Sequence, residues 1–297
     1  MGRVFVIGNV GLDLRLPLPR LPRYGETLLG GEMTRAPGGK GFNQAVVATR
    51  CGADVRFHAP LGNDAQGVEV AALVSAAGLD AAALPRLPLP TDFSLLMVFV
   101  DGENSIVSAG ACAKSLRPAD AEGFLADAGT GDVLLLQGNL SQETTEAAWR
   151  RARRQGARTL LNTAPVSWDA KVLLPHCTLV IANLDEAGAI SGAEKAEQAV
   201  LALRKLGAEV AMVTRGAAGC LLEDGNGPRA FPAKAVAAVD TTGCGDTFCG
   251  VVAACLAAGN SYDVAIGAAQ AAAAITATRA GAYAAFPSAS ELRALLR

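Results

Sequence analysis

The second half of the chain alternates between short apolar runs and helical segments, and this alternation limits the possible folds more than any other feature. Strand-like runs are predicted at residues 132–136, 158–162, 178–182 and 209–214, and a similar run at residues 3–8 opens the chain. Alternating strands and helices are typical of a mostly parallel sheet covered by helices on both faces. We therefore expect a three-layer α/β/α domain whose ligands bind beyond the carboxyl ends of the strands.

Two stretches depart from this alternation and predict a second, smaller sheet. From about residue 13 to residue 35 the helical period is lost, and short apolar stretches alternate with polar residues among frequent prolines and glycines. Residues 93–107 predict two strands joined by a turn at Asp101-Gly102. We expect both stretches to form a small sheet inserted into the α/β body, and we expect residues 84–90 to be a linker.

Residues 240–248, Asp-Thr-Thr-Gly-Cys-Gly-Asp-Thr-Phe, place a glycine-rich turn before a helical run at residues 251–258. The first N–H groups of a helix are unpaired and partly positive, and glycines let an anion approach the backbone closely. A carboxylate in such a turn, here Asp246, is electrostatically unfavourable unless it has a chemical role, such as accepting a proton from a nucleophile. The same residue types also cap many ordinary helices, so this segment alone leaves both explanations open.

A second glycine-rich segment, residues 37–45, is Pro-Gly-Gly-Lys-Gly-Phe-Asn-Gln-Ala and leads into a helix predicted at residues 45–50. It is not a Walker A loop, because Gly41 follows Lys40 where that motif requires Ser or Thr. The chain also lacks a G-x-G-x-x-G fingerprint after its first strand, which argues against a dehydrogenase. Asn43 can both donate hydrogen bonds to hydroxyls and accept them.

Together the two segments resemble the paired signatures of the ribokinase (PfkB) family of ATP-dependent carbohydrate kinases. They occur in the family's order, about 200 residues apart, and further matches extend over essentially the whole chain. The further matches lie at residues 8–13, 25–27, 102–106, 183–186, 214–219 and 278–282. The resemblance implies a single ribokinase-like domain over residues 1–297, in which residues 13–36 and 91–110 form a lid over the sugar. It also implies transfer of a phosphoryl group from ATP to a hydroxyl of a small sugar, with the primary CH2OH as the acceptor.

The resemblance assigns the chemistry to the turn that precedes the helical run. Asp246 is expected to accept the proton of the attacking hydroxyl, and the amides of Gly243, Cys244 and Gly245 are expected to stabilise the transferred group. A thiol at a helix N-terminus can have a lowered pKa, so we expect Cys244 to be reactive and to be protected by ATP.

The residues that match the family's sugar site include two departures from the ribokinase pattern. The matching positions are Asp13, Gly39, Lys40 and Asn43. Gly11 stands where ribokinases have Asn, and Asn139 stands where they have Glu. Both positions are expected to face the substrate, so a sugar with other hydroxyls than ribose, or a larger nucleoside using the space beside Gly11, remains open.

The resemblance further implies ATP, Mg²⁺ and K⁺. The positions matched to the nucleotide site are Asn183, Thr214, Gly216, Gly219, Gly245 and Gln270. Glu186 is matched to Mg²⁺ through water, in keeping with the habit of magnesium to retain waters. The positions matched to a potassium site, mainly through loop backbone oxygens, are Asp240, Thr242, Thr276, Arg279 and Gly281. Ala285 stands where ribokinases tend to have Ser, which argues in part against potassium.

The charge and cysteine content of the chain narrow its partners and compartment. A net charge of −2 gives no reason to expect nucleic acid or an anionic membrane as a partner. The start of the chain has no signal-peptide pattern, and the seven cysteines lack metal-site spacing, so we expect reduced thiols in the cytoplasm. The resemblance implies a homodimer that forms through the lid.

Three classes of protein are alternatives to a sugar kinase. A nucleoside kinase on the same scaffold is the nearest, and vitamin-type kinases are disfavoured because they generally lack the inserted lid strands. A sugar-sensing protein without turnover belongs to a different class, and the intact turn with Asp246 argues against it.

Overall fold

The computed structural model describes residues 2–100 and 104–296, which form one large sheet, two small sheets and the helices around them. The strands are β1 (Val4–Ile7), β2 (Gly11–Leu18), β3 (Thr34–Gly38), β4 (Val55–His58), β5 (Leu61–Gly62), β6 (Arg86–Leu87), β7 (Phe93–Phe99), β8 (Asn104–Ala109), β9 (Val133–Gln137), β10 (Arg158–Asn162), β11 (Leu179–Asn183), β12 (Val210–Thr214), β13 (Cys220–Glu223) and β14 (Arg229–Phe231). The helices are α1 (Lys40–Arg50), α2 (Ala65–Ala76), α3 (Ala111–Lys114), α4 (Pro118–Phe124), α5 (Gln142–Arg154), α6 (Ala170–Leu173), α7 (Leu184–Ser191), α8 (Ala196–Lys205), α9 (Cys244–Ala257), α10 (Tyr262–Ala277) and α11 (Ala289–Leu295).

The large sheet confirms the mostly parallel architecture. Its strand order is β14-β13-β12-β11-β10-β9-β1-β4, and every pair from β4 to β12 is parallel. The last two strands, β13 and β14, continue the sheet in antiparallel fashion. The five predicted strands each lie within one residue of β1, β9, β10, β11 and β12.

Helices cover both faces of this sheet, and alternate side chains of each central strand enter different cores. In β1, Val4 and Val6 pack on the side of α1, α9 and α10, whereas Phe5 and Ile7 pack on the side of α5 and α8. Strands buried on both faces are therefore apolar along their whole length rather than at every second residue. The predicted three-layer α/β/α domain is confirmed.

The close crossing of α1 and α9 depends on Gly250. A Cβ on this residue would lie 2.7 Å from the carbonyl oxygen of Gln44 and 2.8 Å from the Cβ of Val47. The absence of a side chain lets the two helices touch, and their first turns lie side by side as a result. Both helices begin earlier than the sequence predicts, at Lys40 and Cys244.

The reason for the earlier starts is the glycine that precedes each helix. Gly39 has a φ of 100° and Gly243 has a φ of 81°, values that L side chains rarely adopt. Each glycine turns the chain sharply, and the residues after it are already helical. The glycines and polar residues that follow therefore lie in first turns rather than in loops.

The small sheet predicted from residues 13–35 and 93–107 is present. Its order is β3-β2-β7-β8, with β2 antiparallel to β3 and parallel to β7, and β7 antiparallel to β8. The turn predicted at Asp101-Gly102 lies outside the described residues. In residues 2–100 and 104–296, no helix combines the length and the apolar character needed to cross a membrane.

The prediction of a linker at residues 84–90 is wrong. Arg86–Leu87 form β6 and pair with β5, and the side chain of Leu84 is buried. The amide of Leu61 donates to the carbonyl of Pro85 (2.9 Å), and the amide of Asn63 donates to the carbonyl of Leu87 (2.8 Å). Proline lacks an N–H group but keeps its carbonyl, so a proline-rich segment can still accept the hydrogen bonds of a short strand.

Candidate active site

Two cavities open beyond the carboxyl ends of the central strands, and three residues line both of them. The first cavity, about 490 Å³, lies between the small sheet and the α/β body. The second, about 230 Å³, lies beyond the ends of β10, β11 and β12. Lys40, Gly243 and Asp246 line both cavities, so Asp246 stands where a ligand in one cavity would meet a ligand in the other.

The carboxylate of Asp246 is held by two amide side chains from consecutive residues of α1. The Nδ2 of Asn43 donates to Oδ2 (2.9 Å), and the Nε2 of Gln44 donates to Oδ1 (2.9 Å). Asp246 is only 6% exposed, yet it still borders both cavities. Each carboxylate oxygen has a further lone pair, so the group can accept a proton while both amide bonds remain in place.

The start of α9 offers free amides to an anion, but the set differs from the predicted one. Within residues 2–100 and 104–296, the N–H groups of Gly243, Gly245 and Asp246 have no protein acceptor. The N–H group of Cys244 donates instead to the carbonyl of Thr241 (3.2 Å). The amides available at this helix start are therefore those of residues 243, 245 and 246, all of which line the second cavity.

The expected lowering of the pKa of Cys244 is wrong. Burial and the negative charge of Asp240 together raise the pKa of this thiol to about 11. The Sγ atom lies 3.6 Å from the carbonyl oxygen of Ala273 on α10. Desolvation and the nearby carboxylate both favour the protonated thiol, which is neutral at physiological pH.

The six residues predicted to bind the substrate all line the first cavity. They are Gly11, Asp13, Gly39, Lys40, Asn43 and Asn139. Gly11 borders this cavity, but a Cβ on it would lie 2.0 Å from the carbonyl oxygen of Asp92, so no space is open in the direction of a side chain. The backbone of Asp92 fills the position where a side chain at residue 11 would project.

Charges in the first cavity shift one another's pKa values. Burial and the charge of Asp246 together raise the pKa of Asp13 to about 6, against the opposing effect of Lys40. The pKa of Lys40 is raised chiefly by Asp246, although burial lowers it. The ammonium group of Lys40 thus offsets part of the repulsion between the two carboxylates.

Asn183 and Glu186 lie at the mouth of the second cavity and form a reciprocal capping box. The Oδ1 of Asn183 accepts from the N–H of Glu186 (2.7 Å), and the carboxylate of Glu186 accepts from the N–H of Asn183 (3.1 Å). The hydroxyl of Thr163 also donates to Glu186 (2.7 Å). These bonds fix the Glu186 carboxylate beside the same cavity that Asp246 lines.

Of the other positions matched to the nucleotide, Thr214 and Gly245 line the second cavity. Gly216 begins the single helical turn that follows β12 and Gly219 ends it, and neither glycine is among the residues that line the second cavity. The Nε2 of Gln270 donates to the carbonyl of Phe231 (2.8 Å) and ties α10 to β14. The structure does not bring these last three residues to either cavity.

Asp240 joins the loop before α9 to the loop after α10. Its Oδ1 accepts from the N–H of Thr242 and its Oδ2 from the N–H of Gly281, both at 2.9 Å. Burial raises the pKa of Asp240, but these hydrogen bonds outweigh it and the pKa is lowered. The hydroxyl of Thr276 lies 2.9 Å from that of Thr247, and the guanidinium of Arg279 pairs with Glu291.

Comparison with known proteins decides the family. The family model described as pfkB family carbohydrate kinase matches residues 1–289. A ribokinase from Haemophilus influenzae is 32% identical over 292 residues, which cover 96% of this chain and 95% of the relative. The chain belongs to the pfkB family of carbohydrate kinases.

Solved structures agree with this assignment. A ribokinase from Thermotoga maritima superposes with a TM-score of 0.91 at 30% identity, over 100% of this chain and 99% of that one. A ribokinase from Arabidopsis thaliana, solved with ribose and ATP, gives a TM-score of 0.88 at 26% identity, over 100% and 99% of the two chains. The protein is a carbohydrate kinase of ribokinase type with the ribokinase fold, as the sequence predicts.

Several polar residues that line the first cavity of this pfkB-family kinase were not predicted from the sequence. They are Asn9, Asp92, Ser94, Ser108, Lys114 and Ser167. Ser94 and Ser108 are cross-strand partners on β7 and β8, and their hydroxyl oxygens lie 2.8 Å apart. Period-2 alternation along the two predicted strands was the signal that could have placed both serines on one face.

Replacing Asp13 by Asn is expected to stabilise the unliganded kinase at neutral pH. Because the folded-state pKa of Asp13 is raised from 3.8 to about 6, the unfolded chain ionises first and wild-type stability falls as the pH rises through this window. The gain in unfolding free energy for Asp13→Asn should reach about 2–3 kcal/mol at pH 8 and vanish near pH 4. Urea unfolding across this pH range measures it.

The matched control for this experiment is Asp54→Asn, because Asp54 is exposed and far from the cavities. Its effect on the unfolding free energy should stay small at every pH. A gain for Asp13→Asn that does not change with pH would contradict the proposed electrostatic origin.

Proposed function

We propose that this kinase transfers the γ-phosphoryl group of ATP to a hydroxyl of a small sugar, the primary CH2OH, with Asp246 as the general base. The observation that carries the proposal is the position of Asp246 between two cavities. The first is lined by residues that can hydrogen-bond hydroxyls, and the second is lined by the free amides of α9. The Arabidopsis relative solved with both ribose and ATP supports two ligands of this kind.

The transfer proceeds in a line from the first cavity to the second. The carboxylate of Asp246 accepts the hydroxyl proton as the sugar oxygen forms a bond to the γ-phosphorus. The bond from that phosphorus to the bridging oxygen breaks, and ADP leaves. The amides of Gly243, Gly245 and Asp246 stabilise the charge on the transferred group, together with the ammonium of Lys40.

Glu186 suits a magnesium ion held through water beside the phosphates. Its carboxylate lines the second cavity, and magnesium in phosphoryl-transfer sites uses few carboxylates together with substrate oxygens and water. When bound, the ion would neutralise negative charge on the phosphates. The capping box with Asn183 keeps the Glu186 carboxylate in a fixed orientation for this role.

The small sheet is the proposed lid over the sugar and the proposed dimer contact. Residues of β2, β7 and β8 line the first cavity on the side opposite the α/β body.

The proposed dimer contact rests on exposed apolar side chains on and beside this sheet, among them Leu29 (87%), Met33 (47%) and Val107 (59%). Sedimentation velocity should give twice the 30.2 kDa chain mass. A monomer at micromolar concentration would contradict the dimer.

An ADP-release screen over pentoses, hexoses, amino sugars and nucleosides with Mg-ATP and K⁺ tests the proposed reaction. We expect turnover with at least one small sugar, and loss of at least about 10²-fold in kcat for Asp246→Asn, because the proton acceptor is removed. Thermal melting should show that this variant is folded, and Asp54→Asn serves as the control with wild-type kcat.

The same screen separates the alternatives. Turnover with nucleosides alone would identify a nucleoside kinase on this fold. No turnover across the whole panel would favour a sugar-binding sensor. An Asp246→Asn variant with normal kcat would refute the general base.

We also propose a potassium site beside the turn, formed by backbone oxygens of the two loops that Asp240 joins. The hydrogen bonds from Thr242 and Gly281 to Asp240 support it, because they hold the loops together. The missing hydroxyl at Ala285 leaves fewer ligands. We expect kcat in K⁺ to exceed kcat in tetramethylammonium at equal ionic strength. Equal rates in the two salts would exclude the site.

A further inference from the structure

The side chain of Gln44 is completely buried behind Asp246 and makes three hydrogen bonds there. Its Nε2 donates to Oδ1 of Asp246 (2.9 Å) and to Oδ1 of Asn162 (3.1 Å). Its Oε1 accepts from Nε2 of Gln137 (2.8 Å). Gln44 is 0% exposed and is not among the residues that line either cavity in the described part of the chain. It therefore has no route to contact a sugar or a nucleotide.

These bonds allow only one orientation of the Gln44 amide. A primary amide has two N–H donors, and here both are used, one on the carboxylate and one on Asn162. Rotation of the amide by 180° would place its oxygen against the Asp246 carboxylate and its NH2 group against the NH2 group of Gln137. Both contacts would be repulsive, so the network itself fixes which atom faces Asp246.

The network is anchored to the rigid sheet rather than to loops. Gln137 is the last residue of β9 and Asn162 is the last residue of β10. Gln137 can occupy its place only because residue 8 is glycine, since a Cβ on Gly8 would lie 2.1 Å from Oε1 of Gln137. The carboxylate is thus connected through one side chain to the ends of two central strands.

We infer that Gln44 is a positioning residue, which holds the Asp246 carboxylate at the angle needed to accept the proton of the acceptor hydroxyl. This inference rests on the proposed role of Asp246 as the general base. Asn43 holds the other carboxylate oxygen but also lines the first cavity, so its loss would affect substrate binding as well. Gln44 lines neither cavity itself, so its loss lowers kcat without changing the KM for the sugar.

The test is Gln44→Leu, which keeps the size of the side chain and removes the hydrogen bonds. We expect kcat to fall by about 10- to 100-fold, because small misplacements of a catalytic group have effects of this size. The KM for the sugar and the KM for ATP should change by less than about threefold, since Gln44 touches neither cavity. The readouts are steady-state kinetics and thermal melting.

The matched control is Gln155→Leu. Gln155 also donates its side-chain amide to a protein acceptor, the carbonyl of Ala126 at 2.8 Å, but it lies at the end of α5, away from both cavities. This variant should keep wild-type kcat.

A second experiment combines Gln44→Leu with Asp246→Asn. The kcat of the double variant should be no lower than that of Asp246→Asn alone, because the proposed effect of Gln44 on kcat acts through the Asp246 carboxylate.

The outcomes separate this inference from the proposed reaction. Wild-type kcat in a folded Gln44→Leu variant, or a raised KM with unchanged kcat, overturns the positioning role while Asp246→Asn still tests the base. Full activity in Asp246→Asn overturns the role of Asp246 as the base.

If Gln44→Leu does not fold, Gln137→Met tests the positioning role instead, because it removes only the donor that orients the Gln44 amide. We then expect a kcat lowered by about three- to tenfold at constant KM, and an unchanged kcat overturns the inference.

Discussion

The contact between α1 and α9 is the constraint on which the site depends. Gly250 lets the two helices approach until a single methyl group would clash, and this places Asn43 and Gln44 within hydrogen-bond reach of Asp246. Two residues that are consecutive in sequence lie about 100° apart around a helix. One of them can therefore face the substrate cavity while the other faces the sheet. The Asp246 carboxylate is therefore held at both oxygens by the same helical turn.

Electrostatics then determine what this geometry can do. The charge of Asp246 raises the pKa of the nearby Asp13, and Lys40 offsets part of that effect. On the other side of Asp246, three amides at the start of α9 have no acceptor among the described residues and leave a positive surface for an anion. The proposed proton acceptor thus stands between the proposed sugar-binding and phosphate-binding regions. This separation of charge is what phosphoryl transfer to an alcohol requires.

Much of this arrangement could be predicted from sequence, because it follows from local patterns. The apolar runs at β9, β10 and β11 predict a parallel sheet buried on both faces, and motifs that follow such strands meet at one edge. The six predicted substrate residues do line one cavity. The glycine-rich segments predict Asp246 as the proton acceptor, which stays a prediction, and they do not show where the two helices start, because the φ values of Gly39 and Gly243 cannot be read from the residue pattern.

What could not be predicted depends on residues distant in sequence. The direction of a side chain at Gly11 is filled by the backbone of Asp92, and burial together with Asp240 raises the pKa of Cys244. Gln44 stands beside Asn43 in the sequence, yet its role emerges only because Asp246 is 202 positions away and packs against it. The capping box of Asn183 and Glu186, by contrast, could have been predicted from sequence alone, because these two residues are three positions apart in an N-x-x-E pattern.

The central claim is that Asp246 faces the acceptor hydroxyl across the junction of the two cavities. A crystal structure of the kinase with its sugar and a non-hydrolysable ATP analogue tests this most directly. The account predicts one oxygen of the Asp246 carboxylate within about 2.6–3.2 Å of the sugar oxygen that faces the terminal phosphorus. A sugar whose nearest hydroxyl lies beyond hydrogen-bond reach of that carboxylate, with the phosphate bound away from the start of α9, would contradict it.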